Sequence, residues 1–307
     1  MQPPPAPARS SLTDPVESAG SSLPPTESIE RDVTVALAED IGSGDITSDL
    51  VPESATAQAR VVTNESMILC GCAWFEACFH ALSPSVRITW NAVDGASCAA
   101  GMTLCLVTGP ARALLAGERT ALNFLQTLSG TATTTAQYVE ALRGTRARVL
   151  DTRKTLPGLR SAQKYAVRTG GGTNHRMGLH DAILIKENHV AAAGSIGAAI
   201  SRARKHHPWI PLEVEVENFS ELRQALAAGA DRIMLDDFER DDLARAVREV
   251  DGRAELEVSG SVALDALRVI AETGVDFISV GALTKHVRAI DLSMRIETIG
   301  AQPGPVA

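Results

Sequence analysis

Aromatic residues are scarce in this chain. They make up 4 % of its 307 residues, while apolar residues as a whole reach 45 %. Ala, Val, Leu and Ile therefore supply most of the core. That composition suits helices packed over a parallel sheet better than an aromatic-rich all-β fold. Long hydrophobic runs are missing too. No apolar stretch approaches the roughly 18 residues of a membrane span, and no secretory signal is visible. Both absences lead us to expect a soluble, cytoplasmic protein. A basic excess is also lacking: 29 Lys and Arg stand against 37 Asp and Glu, for a formal net charge of −8. This argues against nucleic-acid binding, which leans on a broad basic surface. A small anionic ligand stays open, because a pocket needs only local positive charge. Cysteine shows no metal-binding pattern. Cys70, Cys72, Cys78, Cys98 and Cys105 are odd in number, form no CxxC pair and sit among apolar neighbours, as in MILCGCAWFEACF. They are read as buried reduced thiols acting as small hydrophobes.

Residues 1–28 are rich in Pro, Ser and Ala without periodic hydrophobics, which predicts a disordered extension. A helix is expected from near Ser28, where S-I-E-R resembles a cap before VTVALAEDI. Residues 56–109 read as an α+β unit, with strands in AQARVVTNESMILCG, VRITWNAVDGASC and TLCLVTGPA around a helix, AWFEACFHAL. Two helices are expected next, ALLAGERTALNFLQTLSG and TATTTAQYVEALRG.

A βα rhythm begins after residue 145. Its strands are ARVLDT, AILIKEN, LEVEVEN, DRIMLDD, ELEVSG and DFISVGA, alternating with stretches of helical period. Spacing alone allows a doubly wound sheet or a (β/α) barrel. LEVEVEN favours the barrel. Val214 and Val216 make one apolar face, while Glu213, Glu215 and Glu217 share the other. A doubly wound sheet covers both faces with helices and would not easily accept three carboxylates.

In such folds the chemistry gathers at the C-terminal ends of the strands. The ends here are Asp151-Thr152-Arg153-Lys154, Lys186-Glu187-Asn188-His189, the glutamates, Asp236-Asp237, Glu257-Val258-Ser259-Gly260-Ser261 and Val280-Gly281-Ala282. Arg and Lys clamp carboxylates or phosphates. Glu215 and Asp236 offer hard oxygen ligands for Mg²⁺ or for ribose hydroxyls. Gly and Ser turns offer backbone N–H groups to a phosphate. Together they describe a site for a polyanionic sugar phosphate with a metal. Plainer readings stand beside these. Arg160, Lys164 and Arg168 fit a solvated basic helix face, GGG at 170–172 fits a loop, Lys186 fits a simple ion pair, and Asp237 fits a helix N-cap.

At this point the text DTRKTLPGLRSAQKYAVRTGGGTNHRMGLHDAILIKENH resembles the quinolinate phosphoribosyltransferase family. The likeness extends through ALAEDIGSGDIT, GERTALNFLQTLSGTAT, LEVEVEN, IMLDD, EVSG and SVGALT, over roughly residues 30 to 295. It implies an α/β fold: an N-terminal α/β sandwich domain over residues 29–130 and an incomplete (β/α) barrel over 131–289. A C-terminal helix over 290–303 would pack back on the first domain. It implies the joining of quinolinate to phosphoribosyl pyrophosphate with Mg²⁺, giving nicotinate mononucleotide, pyrophosphate and CO₂ in NAD biosynthesis. It further implies a homodimer in which Arg119 reaches the partner's site. By motif, Arg153, His175 and Arg176 resemble the quinolinate binders, with Lys186 beside them. Lys154 resembles a residue near the pyrophosphate, and Glu215 and Asp236 the acids for ribose hydroxyls and metal. Ser259, Gly260 and Gly281 resemble the 5′-phosphate cradle, with Ser261 where the family often has a second Gly. Three alternatives remain: a relative of the same fold with a different acceptor, such as a transferase tied to molybdate uptake; a Schiff-base lyase using Lys186; and a non-catalytic sugar-phosphate-binding protein.

Overall fold

The computed structural model describes residues 22–260 and 262–301. In chain order its elements are α1 (Thr26–Ile41), β1 (Ala55–Thr63), β2 (Met67–Ile68), α2 (Cys72–Leu82), β3 (Arg87–Trp90), β4 (Ser97–Cys98), β5 (Thr103–Pro110) and α3 (Ala111–Ala141). There follow β6 (Arg148–Leu150), α4 (Arg160–Thr169), β7 (Ile183–Ile185), α5 (Glu187–Ala193), α6 (Ile196–His206), β8 (Leu212–Val216), α7 (Phe219–Ala227) and β9 (Arg232–Asp236). The chain closes with α8 (Arg240–Val250), β10 (Glu255–Ser259), α9 (Leu267–Ala271), β11 (Phe277–Ser279), α10 (Ala282–Lys285) and β12 (Leu292–Ala301).

Two compact units emerge. One gathers Tyr138–Arg153 with Gly172–Gly281 and carries the parallel sheet. Its strand order is β6-β11-β10-β9-β8-β7. From β7 to β11 each strand lies beside its sequence neighbour, and every pair is parallel. A doubly wound sheet reverses direction part-way; this one never does, which settles what spacing left open. The sheet stays open, with β6 and β7 at its two edges, so the unit is an incomplete (β/α) barrel. The apolar residues of β8, Leu212, Val214 and Val216, are fully buried, and the apolar faces of α7 (Leu222, Ala225) and α8 (Leu243, Ala246) are buried as well. Burial of each such Leu or Val contributes roughly 1.5–3 kcal/mol.

The other unit is built on the antiparallel sheet β12-β1-β5-β3. Its core centres on Trp74, Phe75 and Phe79 of α2, all with no exposed surface, so a large share of the chain's few aromatics is spent here. The cysteines are free, four buried and Cys72 half-buried, as expected of small hydrophobes.

Several expectations are corrected. The described part of the segment 290–303 is not a helix: Leu292–Ala301 forms β12, antiparallel to β1, and residues 302–303 lie outside the described residues. Leu292, Met294 and Ile296 alternate with polar residues and turn one face to the core, a period of two rather than 3.6. The two helices predicted after residue 110 are one, α3, running through Gly130. A Cβ on Gly130 would meet the carbonyl oxygen of Arg288, so this glycine serves a close approach of backbone and not a helix break. The first helix starts at Thr26, inside the expected 1–28 extension. Pro25 at its N-cap and Glu27 in its first turn suit a helix start. Residues 1–21 lie outside the described residues, as does Ser261. Finally, α4 does not present a solvated basic face. Its Ala162, Tyr165 and Ala166 belong to the core of the second unit, and Lys164 is fully buried with them.

Candidate active site

Parallel strands end on one edge, and their register stacks side chains in layers. Glu213 and Glu255 both pair with Arg232, Glu215 and Glu257 with Met234, and Ser259 with Asp236. Registered partners project from the same face of a sheet. The unit therefore carries stacked charge: a buried lower layer, which Glu257 joins from one register step up through Arg232 and His175, and an open upper layer beyond it.

The lower layer is closed to water. Arg232 is 1 % exposed; it pairs with Glu255 at 2.8 Å and Glu257 at 3.3 Å and lies 4.0 Å from the Phe277 ring centroid. His175 Nε2 lies 2.8 Å from Glu213 Oε2 and 3.6 Å from Glu257 Oε2. Burial pushes the Glu257 carboxyl up to about 8, helped by the Glu213 charge. Burial likewise pushes Glu213 up to about 7. Oε1 of each accepts no hydrogen bond from the described residues; one retained proton gives the pair a donor between them. Ligand atoms of His175, Glu213 and Glu257 lie within 4.8 Å of one another, but Arg232 already supplies the countercharge a cation would bring.

The loop that brings His175 into this layer is tied to β6. Leu150 bridges to Thr173, and the buried Asp151 carboxylate accepts from Asn174 Nδ2 at 2.5 Å and from the His175 backbone N–H at 2.9 Å. Asp181 anchors the following turn by accepting the N–H groups of Met177 and Gly178.

The upper layer faces outward. The Arg176 side chain donates to the Ala182 carbonyl at 3.3 Å. Burial, then the neighbouring charge of Arg153, press the Arg176 guanidinium below its ordinary value. Neighbouring cations favour an anion beside them. Lys186 follows β7, and its Nζ lies 2.5 Å from Glu215 Oε2 with 43 % of the side chain exposed. Asp236 ends β9. Asp237 after it adopts a left-handed backbone, φ 54°, and the N-cap of α8 is Glu239 instead. That geometry costs a non-glycine residue of order 1 kcal/mol and turns the chain sharply at the mouth. Ser259 and Gly260, φ 144°, end β10, and Gly281 follows β11. A cavity of about 420 Å³ also touches Glu215, but its other charged walls are Glu187, Glu217 and Glu221, so it is no place for a carboxylate ligand.

The unit thus brings together Arg153, His175, Arg176, Lys186, Glu215, Asp236, Ser259, Gly260 and Gly281. Arg119, exposed on α3, and Lys154, also exposed, belong to the other unit. Arg232 was not marked from sequence, and Glu257 only as part of a strand end with no role of its own. The charged alternation of ELEVSG beside LEVEVEN was the available signal.

Comparison with known proteins fits this geometry. Residues 131–295 match the model of the quinolinate phosphoribosyl transferase C-terminal domain, and residues 45–129 that of its N-terminal domain. The chain belongs to the quinolinate phosphoribosyltransferase family. Within that family it is 42 % identical over 259 residues to a probable nicotinate-nucleotide pyrophosphorylase (carboxylating) of Bacillus subtilis, spanning 84 % of this chain and 90 % of that one. It is 42 % identical over 269 residues to the Mycobacterium leprae nicotinate-nucleotide pyrophosphorylase, at 84 % and 94 % coverage. The solved nicotinate-nucleotide pyrophosphorylase of Francisella tularensis superposes with a TM-score of 0.88 at 46 % identity, covering 92 % of this chain and all of that one.

Proposed function

We propose that the strand-end site binds quinolinate through Arg153 and Arg176 and phosphoribosyl pyrophosphate beside Glu215 and Asp236. The chain transfers the phosphoribosyl group to quinolinate with loss of CO₂, giving nicotinate mononucleotide and pyrophosphate, a step of NAD biosynthesis. The observation that carries this reading is the gathering of Arg153, Arg176 and Lys186 in the unit whose strands β8 and β9 end in Glu215 and Asp236. A 2,3-dicarboxylate needs such paired cations, with His175 packed behind Arg176 and Lys186 to one side.

Glu215 and Asp236 present partly exposed carboxylate oxygens, a hard donor set that fits Mg²⁺. Bound there, the metal would neutralise charge on the pyrophosphate leaving group. The two acids stabilise the positive charge that develops at the ribose carbon as the C–O bond breaks. Ser259, Gly260 and Gly281 offer backbone N–H groups to the 5′-phosphate. Lys154 stands for the pyrophosphate, and Arg119 for the site of a partner subunit in a homodimer. The pyridine nitrogen attacks the ribose carbon and becomes a pyridinium. The adjacent carboxylate then leaves as CO₂, and the bonding pair it leaves behind is held by the cationic ring until a proton replaces it. Lys186 Nζ is engaged by Glu215, so the lyase reading, which needs that nitrogen as its nucleophile, has little support. We place the protein in the cytoplasm; no helix among the described residues is long and apolar enough to cross a membrane.

The test is direct. Mixing the protein with quinolinate, phosphoribosyl pyrophosphate and Mg²⁺ is expected to yield nicotinate mononucleotide and one equivalent each of pyrophosphate and CO₂. Pyrophosphate release with another acceptor, and none with quinolinate, would contradict it.

A further inference from the structure

The hydrogen bonds around His175 run in one direction. The Arg176 backbone N–H donates to His175 Nδ1 at 2.7 Å. Nδ1 is therefore the acceptor, and the ring proton sits on Nε2. Nε2–H in turn points at Glu213 Oε2, 2.8 Å away. Glu213 is 1 % exposed and lies on β8, 38 residues further along the chain. Glu257 and Arg232 stand behind it in the same layer, and Arg232 is braced by Glu255. Both ring nitrogens are engaged within the chain. The ring thus joins the buried layer to the backbone of a residue in the upper one.

We propose that Glu213, backed by Glu257 and Arg232, is a positioning residue for the dicarboxylate clamp, acting through the His175 tautomer on the backbone of Arg176. The proposal rests on the reading of Arg176 as a quinolinate binder. With Glu213 in place, only the Nε2–H tautomer satisfies both neighbours. The other tautomer would set two N–H donors against each other at Arg176 and leave a buried carboxylate without its donor. The loop then holds one conformation, and the Arg176 guanidinium leaves it at one fixed position. On this account His175 acts on the substrate through Arg176.

The experiment has two arms, both on the full chain. In the first, Glu213→Leu, which keeps the side-chain size but removes the acceptor, is compared with Glu213→Gln, which keeps an acceptor oxygen. Loss of a buried hydrogen-bond acceptor is expected to raise the quinolinate KM about tenfold or more, with the phosphoribosyl pyrophosphate KM within about twofold. Glu213→Gln should recover most of that loss. A general packing role would move both KM values together and would not be rescued by the amide. The second arm needs no variant at Glu213 to fold. Long-range ¹H–¹⁵N spectra of the native chain, with the ring assigned by its loss in His175→Gln, should show Nδ1 unprotonated and Nε2 protonated. A protonated Nδ1, or an unchanged quinolinate KM in Glu213→Leu, overturns the proposal alone. A native chain that neither binds nor converts quinolinate overturns the reading of the site, and the proposal with it.

Discussion

Glu213 and Glu215 sit two residues apart on one strand and point the same way, yet they live in different solvents. Glu213 is buried against His175 in a layer shared with Glu257 and Arg232, and its carboxyl is pushed up to about 7. Glu215 is partly exposed against a half-exposed Lys186. One strand step separates a closed lower layer from an open mouth. The same residue type is therefore locked into the scaffold in one and, on the proposed function, available for chemistry in the other. Burial decides which, because desolvation makes a charge costly unless it is bound to a fixed partner.

The comparison can be broken most sharply at the mouth. Asp236→Asn removes a charge that the proposed mechanism assigns to the transition state and not to folding. It is expected to lower kcat about 100-fold, with the melting temperature nearly unchanged; steady-state rates and a thermal melt on one preparation check both. A small kcat effect with a large fall in Tm would make Asp236 a lower-layer residue in disguise.

The lower layer should answer to pH instead. Glu257 titrates near its ordinary 4.5 when unfolded and near about 8 when folded. Between those values the folded chain holds more protons than the unfolded one, so this group's contribution to stability falls as pH rises. Glu257→Gln removes that slope. Its Tm relative to the native chain is expected to climb steadily from about pH 5 to about pH 8. A flat or falling difference would contradict the burial argument. The smallest effect belongs to Glu255, which shares Arg232 but is 30 % exposed. Glu255→Gln is expected to cost about 1 kcal/mol or less in denaturant unfolding.

What could be read from sequence follows the same division. The six barrel strands and the cationic strand ends were legible because period and motif are local. Spacing left the winding of the sheet open, since that depends on which strands become neighbours, and only the alternating acids of LEVEVEN pointed to the barrel. β12 was not legible, because its alternation gains meaning only beside β1. Gly130 looked like a helix break because its neighbour, the Arg288 carbonyl, is far away in the chain. Lys164 looked solvated because helical spacing shows a face but not what covers it. Glu213 was visible as one of three alternating acids, but its partnership with His175 and Glu257 depended on a loop and two strands meeting. That Arg153, Arg176, Glu215 and Asp236 fall in the strand-bearing unit was legible because strand ends can be read from local period and motif.

The central claim is that the cations of the mouth read the dicarboxylate while the acids handle the sugar phosphate. It is tested most directly by Arg153→Ala, with both KM values measured on one preparation. The expected result is a quinolinate KM raised about 30-fold, with the phosphoribosyl pyrophosphate KM within about twofold. An unchanged quinolinate KM, or both constants rising together, would contradict it.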